Sequence, residues 1–332
     1  MRSNHRWPLA LAVSSALTLP ALPALAQGER PSLARLQQRI EFLTRHVDAE
    51  WGIYIKSLDT GEELALNADA AFDTMSVIKI PIMVEAFRQM EAGKFALSDR
   101  VTVKESEMRF GTGILRSLDP GAQISVKDVI MLMNIVSDNT ATDIMYEKVG
   151  GPARVTAAMR ELGFTTMEAR GTTFEWFRAL SATADPSYNQ LGPLELFRKG
   201  PAGDAASRWK FHSQGENPFG LSSAREMGIL LEKIYRNQVA SKASCELMLD
   251  MMGRQVYTSR LPRYLGPLGY RVPHKTGDFL PFIGNDVGYI LSPDLHLVMV
   301  VFDRLHQGDP VAFEDTIGRM AEAAATFFDL GR

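Results

Sequence analysis

Three short motifs follow one another along this chain of 332 residues, and each contains residue types that support nucleophilic catalysis. They are Ser76-Val77-Ile78-Lys79, Ser137-Asp138-Asn139 and Lys275-Thr276-Gly277. A serine and a lysine three residues apart occur by chance about once in a chain of this length, whereas each tripeptide is expected on the order of a tenth of a time. The three motifs in this order therefore indicate a serine nucleophile with a lysine base.

Ser76 and Lys79 are predicted to carry the nucleophilic step. A helix is predicted to begin at Ser76, where the positive end of the helix dipole stabilises negative charge. Lys79 lies one turn further on, on the same helix face. It can accept the hydroxyl proton once burial and a second cation lower its pKa, and Lys275 is that second cation.

The second motif is assigned to proton transfer and orientation. Ser137 is predicted to pass a proton to the leaving nitrogen. Asn139 is predicted to orient Lys79 and to hydrogen-bond a substrate amide. The backbone N–H groups of Ser76 and Asp278 are predicted to form the oxyanion hole.

The third motif is assigned to substrate binding. Lys275 and Thr276 are predicted to hold a substrate carboxylate. Gly277 is predicted to let a ligand approach the strand backbone closely.

Apolar periodicity predicts the elements that position these motifs. Helices are predicted at 32–49, 76–93, 125–136, 140–149, 152–162, 222–235, 241–251 and 311–328, and strands at 51–58, 63–67, 286–291 and 295–302. The fold class is therefore α/β in the two-lobed α+β sense, with an antiparallel sheet flanked by helices and an all-helical lobe. The α/β lobe is placed at about 27–74 and 255–332, the helical lobe at about 75–254, and the ligand site in the cleft between them.

The stretch 171–220 shows no clear periodicity. It contains several glycines and the prolines Pro186, Pro193, Pro201 and Pro218. We therefore predict a long loop, which is unusual in a compact domain and often functional.

Residues 1–26 have the three parts of a secretory signal peptide: a basic start, an apolar run at 9–19 and the cleavage site Ala24-Leu25-Ala26. We expect the mature protein to begin near Gln27 and to be secreted or periplasmic. An uncleaved membrane anchor is the alternative. The short apolar core disfavours it, so we expect no stable membrane insertion.

Composition excludes several classes of protein. The formal net charge of −3 provides no basic surface for nucleic acid. The histidines lack zinc-ligand spacing, and Gly111-x-Gly113 lacks the third glycine of a dinucleotide site, so we expect no metal or cofactor. Cys245 is the single cysteine and is interpreted as an inert core residue. A monomer is the default expectation.

The chain resembles class A β-lactamases, and the resemblance extends beyond the three motifs. The similar segments are 110–115, 125–143, 150–152, 222–227 and 274–290, so that most of 51–304 is covered except the long loop. Penicillin-binding proteins share the same motif set. The resemblance implies a β-lactamase/transpeptidase-like catalytic domain at 27–332 that attacks a strained cyclic amide without a metal.

One departure from the family concerns deacylation. Penicillin-hydrolysing members carry a Glu-Pro-x-Leu-Asn loop whose glutamate activates the deacylating water. The nearest sequence here starts at Asp185-Pro186, which is also typical of a turn, whereas spacing from Ser137 points to Thr173 with Glu175 close by. Asp185, Glu175 and the absence of a base all stay open. A positioned base contributes roughly 100- to 10,000-fold in rate.

A second departure is Asp278, because a small or uncharged residue is more usual after the third motif. A carboxylate about 5 Å from a substrate carboxylate costs roughly 3 kcal/mol at an effective dielectric of 20. We expect Asp278 either to weaken the binding of anionic penicillins, to select a cationic substrate, or to turn into solvent. The arginines that could bind a substrate carboxylate are Arg254, Arg260, Arg263 and Arg271.

The favoured function is hydrolysis of the β-lactam amide through an acyl-enzyme on Ser76. The alternatives are a D,D-peptidase or penicillin-binding relative that acts on peptidoglycan stem peptides, and a slowly deacylating β-lactam binder. A loop carboxylate beside the nucleophile would favour hydrolysis, and its absence would favour the other two.

Overall fold

A five-stranded antiparallel sheet joins the two ends of the described chain in the order β2-β1-β10-β9-β8. The computed structural model describes residues 32–216 and 218–330, and the predicted signal peptide at 1–26 lies outside them. The strands are β1 Glu50–Ser57, β2 Glu63–Leu66, β3 Ala71–Asp73, β4 Arg100–Thr102, β5 Gln123–Ser125, β6 Glu168–Ala169, β7 Gly220–Ser223, β8 His274–Phe279, β9 Ile283–Leu291 and β10 His296–Arg304. The predicted α/β class with an antiparallel sheet is confirmed.

The helices of the described ranges cover the sheet and fill the middle of the chain. They are α1 Leu33–Thr44, α2 Lys79–Glu91, α3 Val126–Ile135, α4 Asn139–Val149, α5 Gly151–Glu161, α6 Thr173–Ala184, α7 Pro193–Lys199, α8 Ala205–Gln214, α9 Ala224–Tyr235, α10 Lys242–Met252 and α11 Pro310–Leu330. Short 3-10 helices include Met75–Ile78 and Pro186–Gln190. Within the described part of the chain, no helix combines the length and apolar character that a membrane span requires.

Alternate residues of β10 face two separate apolar cores. Leu297, Met299 and Val301 belong to a core that α1 and α11 complete. Val298 and Val300 belong to the larger core, which they share with α2 and α9. Because both faces are covered, β10 has a continuous apolar sequence. Full burial of each such side chain stabilises the fold by roughly 1.5–3 kcal/mol.

The prediction of a long loop at 171–220 is wrong, because this segment contains α6, α7 and α8. The side chain of Thr172 accepts a hydrogen bond from the N–H of Glu175, whose carboxylate accepts one from the N–H of Thr172 in return. Pro186 and Pro193 occupy the first turns of helices, where a missing N–H costs nothing. The prolines therefore mark helix starts rather than loop.

Helix α9 lies within the predicted helical lobe, yet it packs against β1, β9 and β10 of the sheet. The hydroxyl of Tyr289 on β9 donates to the carbonyl of Leu231 on α9 at 2.8 Å. The lobe boundaries at 74/75 and 254/255 stay a prediction.

Helix α9 approaches β1 so closely that only glycine fits at position 228. A Cβ at Gly228 would lie 2.3 Å from Cδ1 of the buried Tyr54 ring. We expect Gly228→Ala to lower the free energy of unfolding by about 1–3 kcal/mol, the usual range for an overpacked core, in urea denaturation. Gly266→Ala is the matched control, because a Cβ there meets no atom within 4 Å. An equal loss in both variants would contradict the packing explanation.

Candidate active site

Ser76 lies in the 3-10 helix Met75–Ile78, which leads directly into α2. The predicted helix start is therefore confirmed to within one residue. The N–H of Lys79 donates to the carbonyl of Ser76, which places the lysine one turn further on. Ser76 lines a pocket of about 460 Å³ together with Ser137 and Asn139.

The turn before the nucleophile is held by Asp73, a residue to which the sequence analysis gave no role. Its buried carboxylate accepts hydrogen bonds from Met75 N at 2.9 Å and from Phe219 N at 3.2 Å. Met75 has a φ of 45°, in the left-handed region that most side chains avoid. The carboxylate therefore fixes a strained backbone directly before Ser76.

A buried hydrogen-bond network surrounds the amine of Lys79. Its Nζ donates to Asn139 Oδ1 at 2.9 Å and to the carbonyl of Ser137 at 2.8 Å, and it lies 3.0 Å from Ser137 Oγ. Lys275 Nζ reaches the same hydroxyl at 3.1 Å. The structure thus brings Lys79, Ser137, Asn139 and Lys275 together, and their predicted roles in catalysis stay a prediction.

Burial lowers the pKa of both lysines, and that of Lys79 is also lowered by the charge of the other. Burial lowers the pKa of Lys79 well below that of a free lysine, and the neighbouring charge of Lys275 lowers this pKa further. Burial lowers the pKa of Lys275 to about 8. Lys79 is therefore the amine that gives up its proton more readily and can act as the base, while Lys275 still carries its charge at neutral pH.

Asp138, the middle residue of the second motif, has a structural role. Its Oδ1 accepts from Ala141 N at 2.9 Å and caps α4, and its Oδ2 accepts from Ile114 N at 2.7 Å and Leu115 N at 2.9 Å. Gly113 packs against this carboxylate with a φ of 114°, so a side chain would not fit there. The glycines of the 110–115 segment therefore serve close packing.

Strand β8 runs beside the nucleophile. A Cβ at Gly277 would lie 2.4 Å from the carbonyl oxygen of Thr74 and 3.1 Å from Ser76 N. The close approach of a ligand at Gly277 stays a prediction, and the structure adds a second reason for glycine, since it lets the strand pack against the turn that carries Ser76. Lys275 and Thr276 are buried, and Asp278 lines the pocket.

Helix α6 forms an apolar wall of the pocket with Trp176, Phe177 and Leu180. Asp143 on α4 anchors the start of this helix, because its carboxylate accepts from Thr173 N at 2.7 Å. Apolar periodicity does not predict this wall. The Thr172-Thr173-Phe174-Glu175 capping pattern is the signal that predicts a helix here.

The β-lactamase enzyme family model matches residues 35–328. The chain belongs to this family. It is 29% identical over 286 residues to the β-lactamase L2 of Stenotrophomonas maltophilia, and the match covers 84% of this chain and 82% of that protein. The fold is similar to that of a β-lactamase from Sphaerobacter thermophilus DSM 20745, with a TM-score of 0.71, 25% identity and coverage of 89% of this chain and 96% of the other. It is also similar to that of PBP-A, with a TM-score of 0.69, 25% identity and coverage of 90% and 97%.

Neither loop carboxylate considered for this family's deacylation step lines the pocket. Glu175 Oε2 accepts from the N–H of Thr172 at 2.7 Å and from its hydroxyl at 2.9 Å. Asp185 is about half exposed and accepts from Ser187 N at 2.9 Å, as expected for a turn. Among the residues that the structure describes, Asp278 is the one carboxylate in the pocket wall.

The arginines that were predicted as candidates to bind a substrate carboxylate occupy different positions in the structure. Arg260 is buried, and its Nη2 donates to Asp278 Oδ1. Arg254, Arg263 and Arg271 do not line the pocket. Arg208, which the sequence analysis did not consider, does line it, and its Nη2 donates to the carbonyl of Leu280 at 2.8 Å.

Because the pKa values of Lys79 and Lys275 are lowered, we expect the rate of acylation by a chromogenic β-lactam to show a bell-shaped dependence on pH. The rate rises with pH as Lys79 loses its proton. It falls above about pH 8, where Lys275 loses the charge that favours a developing oxyanion. In Lys275→Met, which carries no charge to lose, we expect the alkaline limb of kcat/KM to disappear. An unchanged alkaline limb in a folded Lys275→Met variant would contradict this assignment.

Proposed function

We propose that this protein is an exported serine β-lactamase of the class A type, which hydrolyses the β-lactam amide through an acyl-enzyme on Ser76. The observation that carries the proposal is the position of Ser76 at the start of a helix, beside the buried network of Lys79, Ser137 and Lys275. Family membership and the names of the relatives support the substrate class. The proposed chemistry uses a small-molecule substrate and requires neither metal nor nucleic acid.

In the acylation step, neutral Lys79 accepts the proton of the Ser76 hydroxyl while Oγ bonds to the lactam carbonyl carbon. The N–H groups of Ser76 and Asp278 stabilise the oxyanion that forms. The C–N bond then breaks, and the proton passes from Lys79 through Ser137 to the leaving nitrogen.

In the deacylation step, a water attacks the acyl carbonyl and the bond to Ser76 Oγ breaks. Thr173 is suited to hold this water, because the residue lines the pocket and its buried hydroxyl has no hydrogen-bond partner in the described chain. A hydroxyl is not a base at neutral pH. The water therefore transfers its proton to Lys79, and Ser76 regains a proton as it leaves.

Hydrolysis of nitrocefin by the mature protein, followed by stopped flow and in steady state, tests this proposal. We expect sustained turnover that falls to background in Ser76→Ala. Ser187→Ala, which changes a serine outside the pocket, is the matched control and should retain turnover. The absence of any reaction in the wild type would contradict the proposal.

A long-lived acyl-enzyme is the second candidate. It corresponds to a penicillin-binding relative that acts on peptidoglycan stem peptides, or to a slowly deacylating β-lactam binder. The observation that favours it is the pocket wall, because no carboxylate from the described residues of 171–220 lines the pocket. A single stoichiometric burst with a stable adduct on Ser76, detected by mass spectrometry of the intact protein, would distinguish this candidate from a β-lactamase.

Thr173 lies in the pocket, at the position to which spacing from Ser137 assigns the family's glutamate. We expect Thr173→Glu to accelerate deacylation of the penicillin acyl-enzyme by about 100-fold, because its carboxylate can accept the proton of the attacking water. Decay of the adduct after a single turnover measures this rate. Thr173→Gln has a similar shape without the charge. Equal decay rates in the two variants would exclude base catalysis from this position.

We further propose that residues 1–26 are removed on export and that the mature protein is a periplasmic or secreted monomer. The basic, apolar and small-residue parts of this segment support the proposal. N-terminal sequencing of the exported protein should give Gln27 as the first residue. Retention of Met1 would contradict cleavage.

A further inference from the structure

Asp278 lies in the pocket wall directly after the buried third motif. The preceding residue, Gly277, packs against the backbone of Ser76, since a Cβ there would lie 3.1 Å from Ser76 N. Asp278 is therefore one residue away from the point where β8 contacts the nucleophile. Its side chain is 35% exposed, so a bound ligand can reach it.

The nearest arginine is already neutralised. Arg260 is 3% exposed, and its Nη2 donates to Asp278 Oδ1 and to Glu314 Oε1, the latter at 3.2 Å. Its Nη1 donates to the carbonyl of Asn285 at 2.9 Å. Two carboxylates thus share one guanidinium, and of these three residues only Asp278 lines the pocket.

The amine of the neighbouring lysine already makes two hydrogen bonds within the protein. Lys275 Nζ donates to Ser137 Oγ at 3.1 Å and to the carbonyl of Thr276 at 2.8 Å. Burial lowers the pKa of Lys275 to about 8, so its charge is partly lost near that pH. Thr276 and Asp278 are two residues apart, so their side chains lie on the same face of the strand, about 7 Å from each other. An anion held by the Thr276 hydroxyl would therefore lie close to the carboxylate of Asp278.

Arg208 is the other charged residue in the described pocket wall. Its guanidinium lies 5.0 Å from the centre of the Phe279 ring, and its Nη2 donates to the carbonyl of Leu280. Phe279 and Leu280 are the two residues that directly follow Asp278 in the chain. Arg208 is therefore the other residue that could meet a substrate carboxylate, and the test must separate its effect from that of Asp278.

We propose that Asp278 is a specificity-determining residue: it disfavours substrates with a carboxylate beside the reactive amide and favours those with a neutral or cationic group there. The inference rests on the proposed acylation of Ser76. Asp278 Oδ1 is held by Arg260, whereas Oδ2 forms no hydrogen bond within the described chain and is available to an N–H donor of the ligand.

Three forms of one penicillin test the proposal: the free acid, its methyl ester and its 2-aminoethyl ester. They place a negative, a neutral and a positive group at the same position of one scaffold. The measurement is kcat/KM for acylation of Ser76, by stopped flow with mass spectrometry of the adduct. In the wild type we expect the cationic ester to react fastest and the acid slowest. In Asp278→Asn, we expect the acid-to-methyl-ester ratio to rise by roughly tenfold or more and the preference for the cation to disappear.

Asp278→Ser is the second variant and should change the ratio in the same direction. Asp185→Asn is the matched control, because it removes a carboxylate that does not line the pocket. Its ratio should equal that of the wild type. Added salt should raise the wild-type ratio and leave that of Asp278→Asn nearly constant, since screening weakens repulsion only where the charge is present.

The proposal is overturned if both Asp278 variants keep the wild-type ratio. It is also overturned if the ratio falls in Arg208→Gln and stays constant in the Asp278 variants, because the substrate carboxylate would then bind Arg208. If no form of the penicillin acylates the wild type, the proposed function fails and this inference fails with it. Acylation by all three forms with a ratio that Asp278 does not control contradicts the inference alone.

Discussion

The site depends on two lysine amines that are buried within hydrogen-bond distance of one serine hydroxyl. Lys79 and Lys275 lie 3.0 and 3.1 Å from Ser137 Oγ, and neither side chain is exposed to solvent. Two ammonium charges at such a site would incur both the desolvation penalty and mutual repulsion, so Lys79 releases its proton most readily. A lysine whose pKa lies well below that of a free lysine thus follows from packing, and strand β8 must meet the α3–α4 turn for this to occur.

This meeting requires backbone conformations that most residues avoid. Ser137 has a φ of 53° and Met75 a φ of 45°, and each left-handed residue costs roughly 1–2 kcal/mol. Two aspartates hold the backbone around them. Asp73 accepts from the N–H of Met75, and Asp138 accepts from two N–H groups of the 110–115 segment. The aspartate of the second motif therefore maintains the geometry that the flanking serine needs, and has no direct part in the proposed chemistry.

Four of the five strands of the sheet and most helices could be predicted because the apolar pattern specifies which faces are buried, whereas this pattern did not predict β8. The motif residues could be predicted because their chemistry is rare in combination. The segment 171–220 could not be predicted from periodicity, although Thr172 and Glu175 form a local capping pattern that indicates a helix start. No local sequence pattern indicates the pairing of Arg260 with Asp278. Only the folding of β8 beside another segment brings the two residues together.

The first turn of α6 limits which groups could act as the base in the proposed deacylation step. The unpaired N–H groups of a helix start favour acidic side chains, and Glu175 meets this need by accepting from the N–H of Thr172. Asp143 accepts from the N–H of Thr173 in the same turn. To turn either carboxylate towards a water would leave a donor unpaired, which costs roughly 1–3 kcal/mol where the donor is buried. Both carboxylates therefore stabilise the start of the helix that forms the pocket wall. Under the proposed mechanism, Lys79 then serves as the base in both steps.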